Sequence, residues 1–242
     1  MVILSTYLIS SATYMSSQWP SIRRYRGILY GIAVMTGLLG IGVHSVILFD
    51  DITQQNGLYL SLPNVISLIG LQLALIAVIA AFNKQMCGFA GGILIVSSLS
   101  ELTFIWLIDQ IGNIPPVVKA LTWQIKIHIM TSIFAYGLLC AGAIIAIFAL
   151  IQDKRLRTKK ISALNSLFAP LETTEKLLFN TATAGSVLLF LSIFSGLIIL
   201  ENIYLQNQAQ QIALSITALI MFSTLVYGRN FFGWRGRSAI YL

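Results

Sequence analysis

Charge is scarce in this chain. Asp, Glu, Lys and Arg make up only 10% of its 242 residues, against 57% hydrophobic ones. A soluble domain carries roughly 25% charge, so the shortage excludes a water-soluble globular domain and points to a polytopic membrane protein. Histidine and cysteine are equally rare, at two each. Cys87 and Cys140 form no CxxC pair. Cys87 is expected in a loop and Cys140 deep in a helix, roughly 18 Å along it, so a disulfide and thiol redox chemistry have no support. There is no zinc set, no P-loop, no Rossmann glycine motif and no nucleophile paired with a base. The chain is therefore expected not to be an enzyme. Repeats, heptads and low-complexity tracts are missing too, which leaves a single integral membrane domain over 1–242.

The opening MVILSTYLISSATYMSS has no basic start; its positive charge comes afterwards, in Arg23, Arg24 and Arg26. That order argues against a signal peptide and for a first helix with its N-terminus outside. The apolar runs predict about seven spans, near 2–17, 27–49, 64–82, 88–108, 125–151, 177–200 and 212–228, an all-α transmembrane bundle. The first is the weakest, being short and rich in Ser and Thr. Of the 15 Lys and Arg residues, all but Lys119 and Lys126 fall on one side of this arrangement. By the positive-inside rule that side is cytoplasmic. The net charge of +7 is thus a topology signal; no basic stripe with interleaved aromatics suggests nucleic acid.

The segment 152–176 reads as a cytoplasmic linker with basic anchors, although Phe168, Leu171 and Leu178 could instead lie along the membrane surface. Pro170 followed by Glu172 and Glu175 looks like a helix start. Pro63 with Asn64 opens the third helix, and Pro115 and Pro116 break the loop after the fourth. Phe231, Phe232 and Trp234 beside Arg235 and Arg237 suggest a cytoplasmic interface anchor.

Three ionisable residues stand out. His128 sits at the outer mouth of the fifth helix, WQIKIHIMTSIFAYGLLCAG. The helix period puts it roughly on one face with Thr131, Ser132, Ala135, Gly142, Ala146 and Ala149. His44, in GIGVHSVILFDD, lies six residues before Asp50, or ~9 Å in from that end of its helix. Both histidines fall in the outer leaflet, where two neutral imidazoles suit a haem iron or another transition metal; hydrogen-bonded interfacial histidines are the plainer alternative. Glu101 lies inside the fourth span, one turn from Ser97 and Ser98 and at a depth comparable to His44, a possible partner. It is either a proton or cation site, or a protonated carboxyl bonded between helices. Tyr136 and Trp123 are expected to serve packing and the interface belt.

At these residues the chain resembles a family. WQIKIHIMTSIFAYGLL is similar to the His-containing helix start of the cytochrome c assembly family, the CcsA/CcmC-type haem-handling membrane proteins. PLETTEKLLFNTATAGSVLLFLSIFSG and GWRGRSA look like the segments that follow it there. VHSVILFD, QNGLYLSLPNVISLIGL and ALSITALIMFSTLVYGRNFFGWRGR look like the YpjD-type inner-membrane branch, which lacks the tryptophan-rich WWD segment. The likeness runs in order from about residue 27 to the end.

The resemblance implies a multi-pass protein of the bacterial inner membrane that binds haem, or assists its delivery, for c-type cytochrome biogenesis. An eighth helix would follow Leu242. His128 matches the family's outer haem-ligating histidine and His44 a membrane histidine of the branch, so both are candidate ligands of the haem iron. Lys126 is the basic residue nearest by sequence to a haem propionate. Other assembly subunits would be partners, beside the bilayer itself. Two other readings stay open: a cation or proton transport or accessory protein using Glu101, His44, Asp50 and Asp51, or a structural subunit without a ligand.

Overall fold

A computed structural model of the chain describes residues 1–54, 57–58, 61–111, 122–158, 169–200 and 209–233. It is helical: α1 (Val2–Ser17), α2 (Arg26–Ile52), α3 (Leu62–Ala81), α4 (Cys87–Ile111), α5 (Trp123–Arg157), α6 (Leu171–Leu200) and α7 (Ala209–Phe232). One short antiparallel pairing, β1 (Thr53–Gln54) with β2 (Gly57–Leu58), follows α2. Helices α2 to α7 are long and apolar enough to cross a membrane. With 16 residues, α1 spans ~24 Å, short of the ~30 Å hydrocarbon core, as its composition suggested.

Helix ends follow local chemistry. Ser61 caps α3 by accepting from the Asn64 backbone N–H, with Pro63 in the first turn where its missing donor costs nothing. Directly after Pro170, α6 begins, with Glu172 in its first turn. Because α5 continues to Arg157, the expected linker over 152–176 shortens at both ends. Asp153 and Arg157 pair one turn apart at 2.9 Å on that extension, which needs no apolar environment to stay helical. Leu178 is buried within α6 and does not lie along a membrane surface. Cys87 is the first residue of α4, buried, and not in a loop. Pro115, Pro116, Lys119, Lys159, Lys160, Phe168, Trp234, Arg235 and Arg237 lie outside the described residues.

The helices group into two compact units, one holding α1 to α4 and the other α5 to α7. In the first, α1 packs on α2 and α4, and α3 on α4 and α2. Its inner face is polar. Thr6, Tyr7, Ser10, Ser11, Tyr14 and Ser17 are all buried there. Hydroxyls stitch the helices together: Ser10 Oγ donates to the Ala33 carbonyl at 2.7 Å and Ser11 Oγ to that of Gly91 at 2.8 Å. Close approach makes these bonds possible, because a Cβ at Gly37 of α2 would stand 2.9 Å from Ser10 Oγ and one at Gly91 of α4 3.0 Å from the Ser11 carbonyl oxygen. In the second unit α5 packs along α6, and α7 packs on α6. Ala135 and Leu139 of α5 meet Leu189 of α6 in a small apolar cluster.

Candidate functional site

Each helix of the first unit sends one polar side chain to a common point. Tyr7 from α1, His44 from α2, Ser67 from α3 and Glu101 from α4 are 0%, 1%, 2% and 4% exposed. His44 Nε2 lies 2.9 Å from Glu101 Oε1 and 2.8 Å from Ser67 Oγ. Ser67 Oγ donates to Glu101 Oε1 at 2.7 Å. Tyr7 Oη is 2.9 Å from His44 Nδ1. The hydrogens follow from counting donors. Ser67 has spent its only hydrogen on the carboxylate, so Nε2–H is the donor toward Glu101 and Ser67. In the neutral ring Nδ1 then accepts from the Tyr7 hydroxyl.

Three hydrogens are donated in this network, one each from Tyr7, His44 and Ser67; at about 0.6 kcal/mol each between membrane helices they sum to about 2 kcal/mol. A lone charged carboxylate inside a bilayer costs a similar amount, about 3 kcal/mol. The network therefore roughly offsets the burial of Glu101 and adds little beyond it.

The pairing of Glu101 with His44 expected from their depth is present. Ser97 and Ser98 do not take part; their hydroxyls donate to Ile93 and Ile95 carbonyls of their own helix. Asp50 and Asp51 are exposed at the end of α2. Tyr7 and Ser67 escaped the sequence reading. The only trace of Tyr7 is the polar spacing Thr6, Ser10, Tyr14, Ser17 along a run that otherwise looks like a poor span.

In the second unit, His128 opens onto a cavity of about 450 Å³, within the roughly 300–1,000 Å³ of small-molecule sites. Ser132 and Tyr136 of α5, Ser192 of α6 and Ser215 of α7 give it a row of hydroxyls beside His128 and Gly196; Ile193, Leu197, Ile212 and Leu214 make it apolar elsewhere. Ser132 Oγ meets Ser192 Oγ, and Tyr136 Oη meets Ser215 Oγ, each at 2.5 Å. Tyr136 is thus a cavity residue, and not merely a packing or belt residue, because the helix turn places it two turns beyond His128 on the same side. Trp123 is exposed, as a belt residue is. Thr131 departs from the expected shared face: it lines a separate groove with Lys126, Ile127 and Phe134.

His128 Nδ1 is 3.0 Å from Ser195 Oγ. That hydroxyl donates to the Ser192 carbonyl at 2.9 Å. Both contacts are hydrogen bonds only if His128 carries its hydrogen on Nδ1 and donates it to Ser195. Nε2 then keeps its lone pair, and among the described residues nothing bonds to it. Gly196 seats the ring, since a Cβ there would stand 2.9 Å from His128 Cε1. Ser195 and Gly196 also escaped the sequence reading; serines and glycines are common in apolar helices and carry no signal of what they face.

The two candidate histidines belong to different units. Both ring nitrogens of His44 are engaged within its own unit, whereas His128 presents one free nitrogen beside a cavity. Among the described residues no group of three or more His, Cys, Asp or Glu side chains is placed to hold a metal ion.

No solved structure matches the chain. It is 27% identical over 225 residues to the Inner membrane protein YpjD of Escherichia coli strain K12, covering 92% of this chain and 83% of that protein. It is 25% identical over 117 residues to an Uncharacterized 28.8 kDa protein in nifR3-like 5'region of Azospirillum brasilense, covering 48% and 43% of the two chains. The family described as Cytochrome C assembly protein matches residues 59–242, from the start of α3 through every helix that follows. That stretch holds both Glu101 and the His128 cavity, and the chain belongs to the cytochrome c assembly protein family.

Proposed function

We propose that this chain is an inner-membrane protein that binds haem, or assists its delivery, for c-type cytochrome biogenesis, with His128 as the iron contact. The observation that carries the reading is the free Nε2 lone pair of His128 at a cavity between α5, α6 and α7. An imidazole that donates through one nitrogen to a fixed acceptor is oriented and made more basic at the other. The residues present fit a single imidazole contact to such a group. Bound haem would supply the iron that this nitrogen ligates. The chain's own part is to orient the ring through Ser195, leave room for it at Gly196, and offer apolar walls with hydroxyls at the cavity. The distribution of Lys and Arg supports an outward-facing cavity. Lys126 lines a groove apart from it, so the proposal gives Lys126 no propionate contact. His44 is left to its own unit, and no catalysis is assigned to the chain. Partners in this reading are the bilayer and other assembly subunits.

The test is a haem titration of the full chain in mild detergent, followed by its Soret band. A saturable band is expected, and His128→Ala should abolish it or shift it. An unchanged band in that variant would assign the ligation elsewhere.

A further inference from the structure

We propose that Tyr7, His44, Ser67 and Glu101 form a proton-binding site that takes up one exchangeable proton on its imidazole–carboxylate pair. The site lies in the first unit and shares no residue with the His128 cavity, so it does not rest on the haem reading.

The argument begins with hydrogen counting. With Tyr7 donating to Nδ1, Nε2–H donating to Glu101 and Ser67 donating to Glu101, every contact in the network is satisfied and the group carries one net negative charge. All four side chains are buried in helices that pack together. A net charge in that setting is unfavourable, and a further proton removes it. The network has room for one. Both of Glu101's close contacts use Oε1; among the described residues Oε2 has no partner. A proton there leaves the other hydrogen bonds as they are. The alternative acceptor is Nδ1, which would require the Tyr7 hydroxyl to turn away. Either way the added proton neutralises the pair joined by the 2.9 Å Nε2–Oε1 contact, and no helix has to move.

A metal ion is the less suitable occupant. One free carboxylate oxygen cannot complete the six or more oxygen ligands of a hard cation. The depth suits proton exchange, because His44 lies ~9 Å from the α2 end that carries Asp50. The groups facing the pair come from each packed helix: Tyr7 and the amino terminus from α1, Asp51 from the end of α2, and the uncharged Ser67 from α3.

The test uses the full haem-free chain in mild detergent with His128→Ala as background, which leaves His44 as the sole histidine. Proton uptake is measured by titration between about pH 5 and pH 9, above the range where exposed carboxylates titrate. The chain should take up one proton more than the same protein carrying Glu101→Gln. Superposed curves would overturn the proposal. Should the Gln variant not fold, infrared spectra of the background protein decide: a carboxyl or imidazole band that titrates in this window and shifts in deuterated water supports the site. Absence of such a band overturns it.

Discussion

Ser195 accepts a hydrogen bond from Nδ1 of His128 at 3.0 Å while donating its own hydrogen to the Ser192 carbonyl. This arrangement leaves Nε2 of His128 as a free lone pair. Ser195→Ala deletes the acceptor and releases the ring to either tautomer. Haem affinity should fall by about 10-fold or more, in the range found for partners of ligating histidines, while Ser195→Thr should retain most of it. Titrations in detergent followed at the Soret band compare the three proteins, and nitrogen NMR of the haem-free chain reads the tautomer directly.

Gly196→Ala should act on the same ring by steric means. Its Cβ would come within 2.9 Å of His128 Cε1, so the imidazole must move. Overpacking of this kind typically costs about 1–3 kcal/mol. Gly31 of α2 is the control, because a Cβ there meets nothing within 4 Å. Gly31→Ala should be neutral or stabilising by up to about 1 kcal/mol through helix propensity. Thermal unfolding of both variants in detergent separates the two effects.

Tyr7→Phe leaves Nδ1 of His44 without its donor in a buried site. A loss of about 1–3 kcal/mol is expected. Ser67→Ala removes the hydroxyl between His44 and Glu101. The two changes touch one network, so their sum should miss the double mutant by about 0.5–3 kcal/mol. Additive losses in a double-mutant cycle would mean that Tyr7 and Ser67 act independently.

The cysteines report burial. Cys87 is buried at the start of α4 and Cys140 is exposed on α5. An apolar maleimide should label Cys140 in the native protein within minutes and reach Cys87 only after denaturation. Mass spectrometry of the labelled peptides reads the result, and fast labelling at Cys87 would contradict its buried place at the start of α4.

Much of the architecture was legible in the residues alone. Long apolar runs separated by charged loops identify membrane helices because bilayer thickness and backbone hydrogen bonding permit little else. Boundaries were less legible where a helix leaves the apolar zone. Through Gln152 to Arg157, α5 continues on charged residues, held by the Asp153–Arg157 pair, and hydropathy is blind to that continuation.

The site divides along the same line. Rarity and depth singled out His44, His128 and Glu101, because an ionisable group in an apolar run is costly wherever it packs. The partners could not be found that way. Tyr7, Ser67, Ser195 and Gly196 belong to residue types that membrane helices use freely, and their importance lies in which neighbour they face. From the residues alone come a helical membrane protein, two isolated histidines and one carboxylate, Glu101, inside an apolar span. It takes helix packing to show that one histidine is closed on both nitrogens by Tyr7, Ser67 and Glu101 while the other keeps a nitrogen free at a cavity. A tautomer is set by hydrogen-bond partners from other helices, and helix packing brings those partners together across separations that no local pattern encodes.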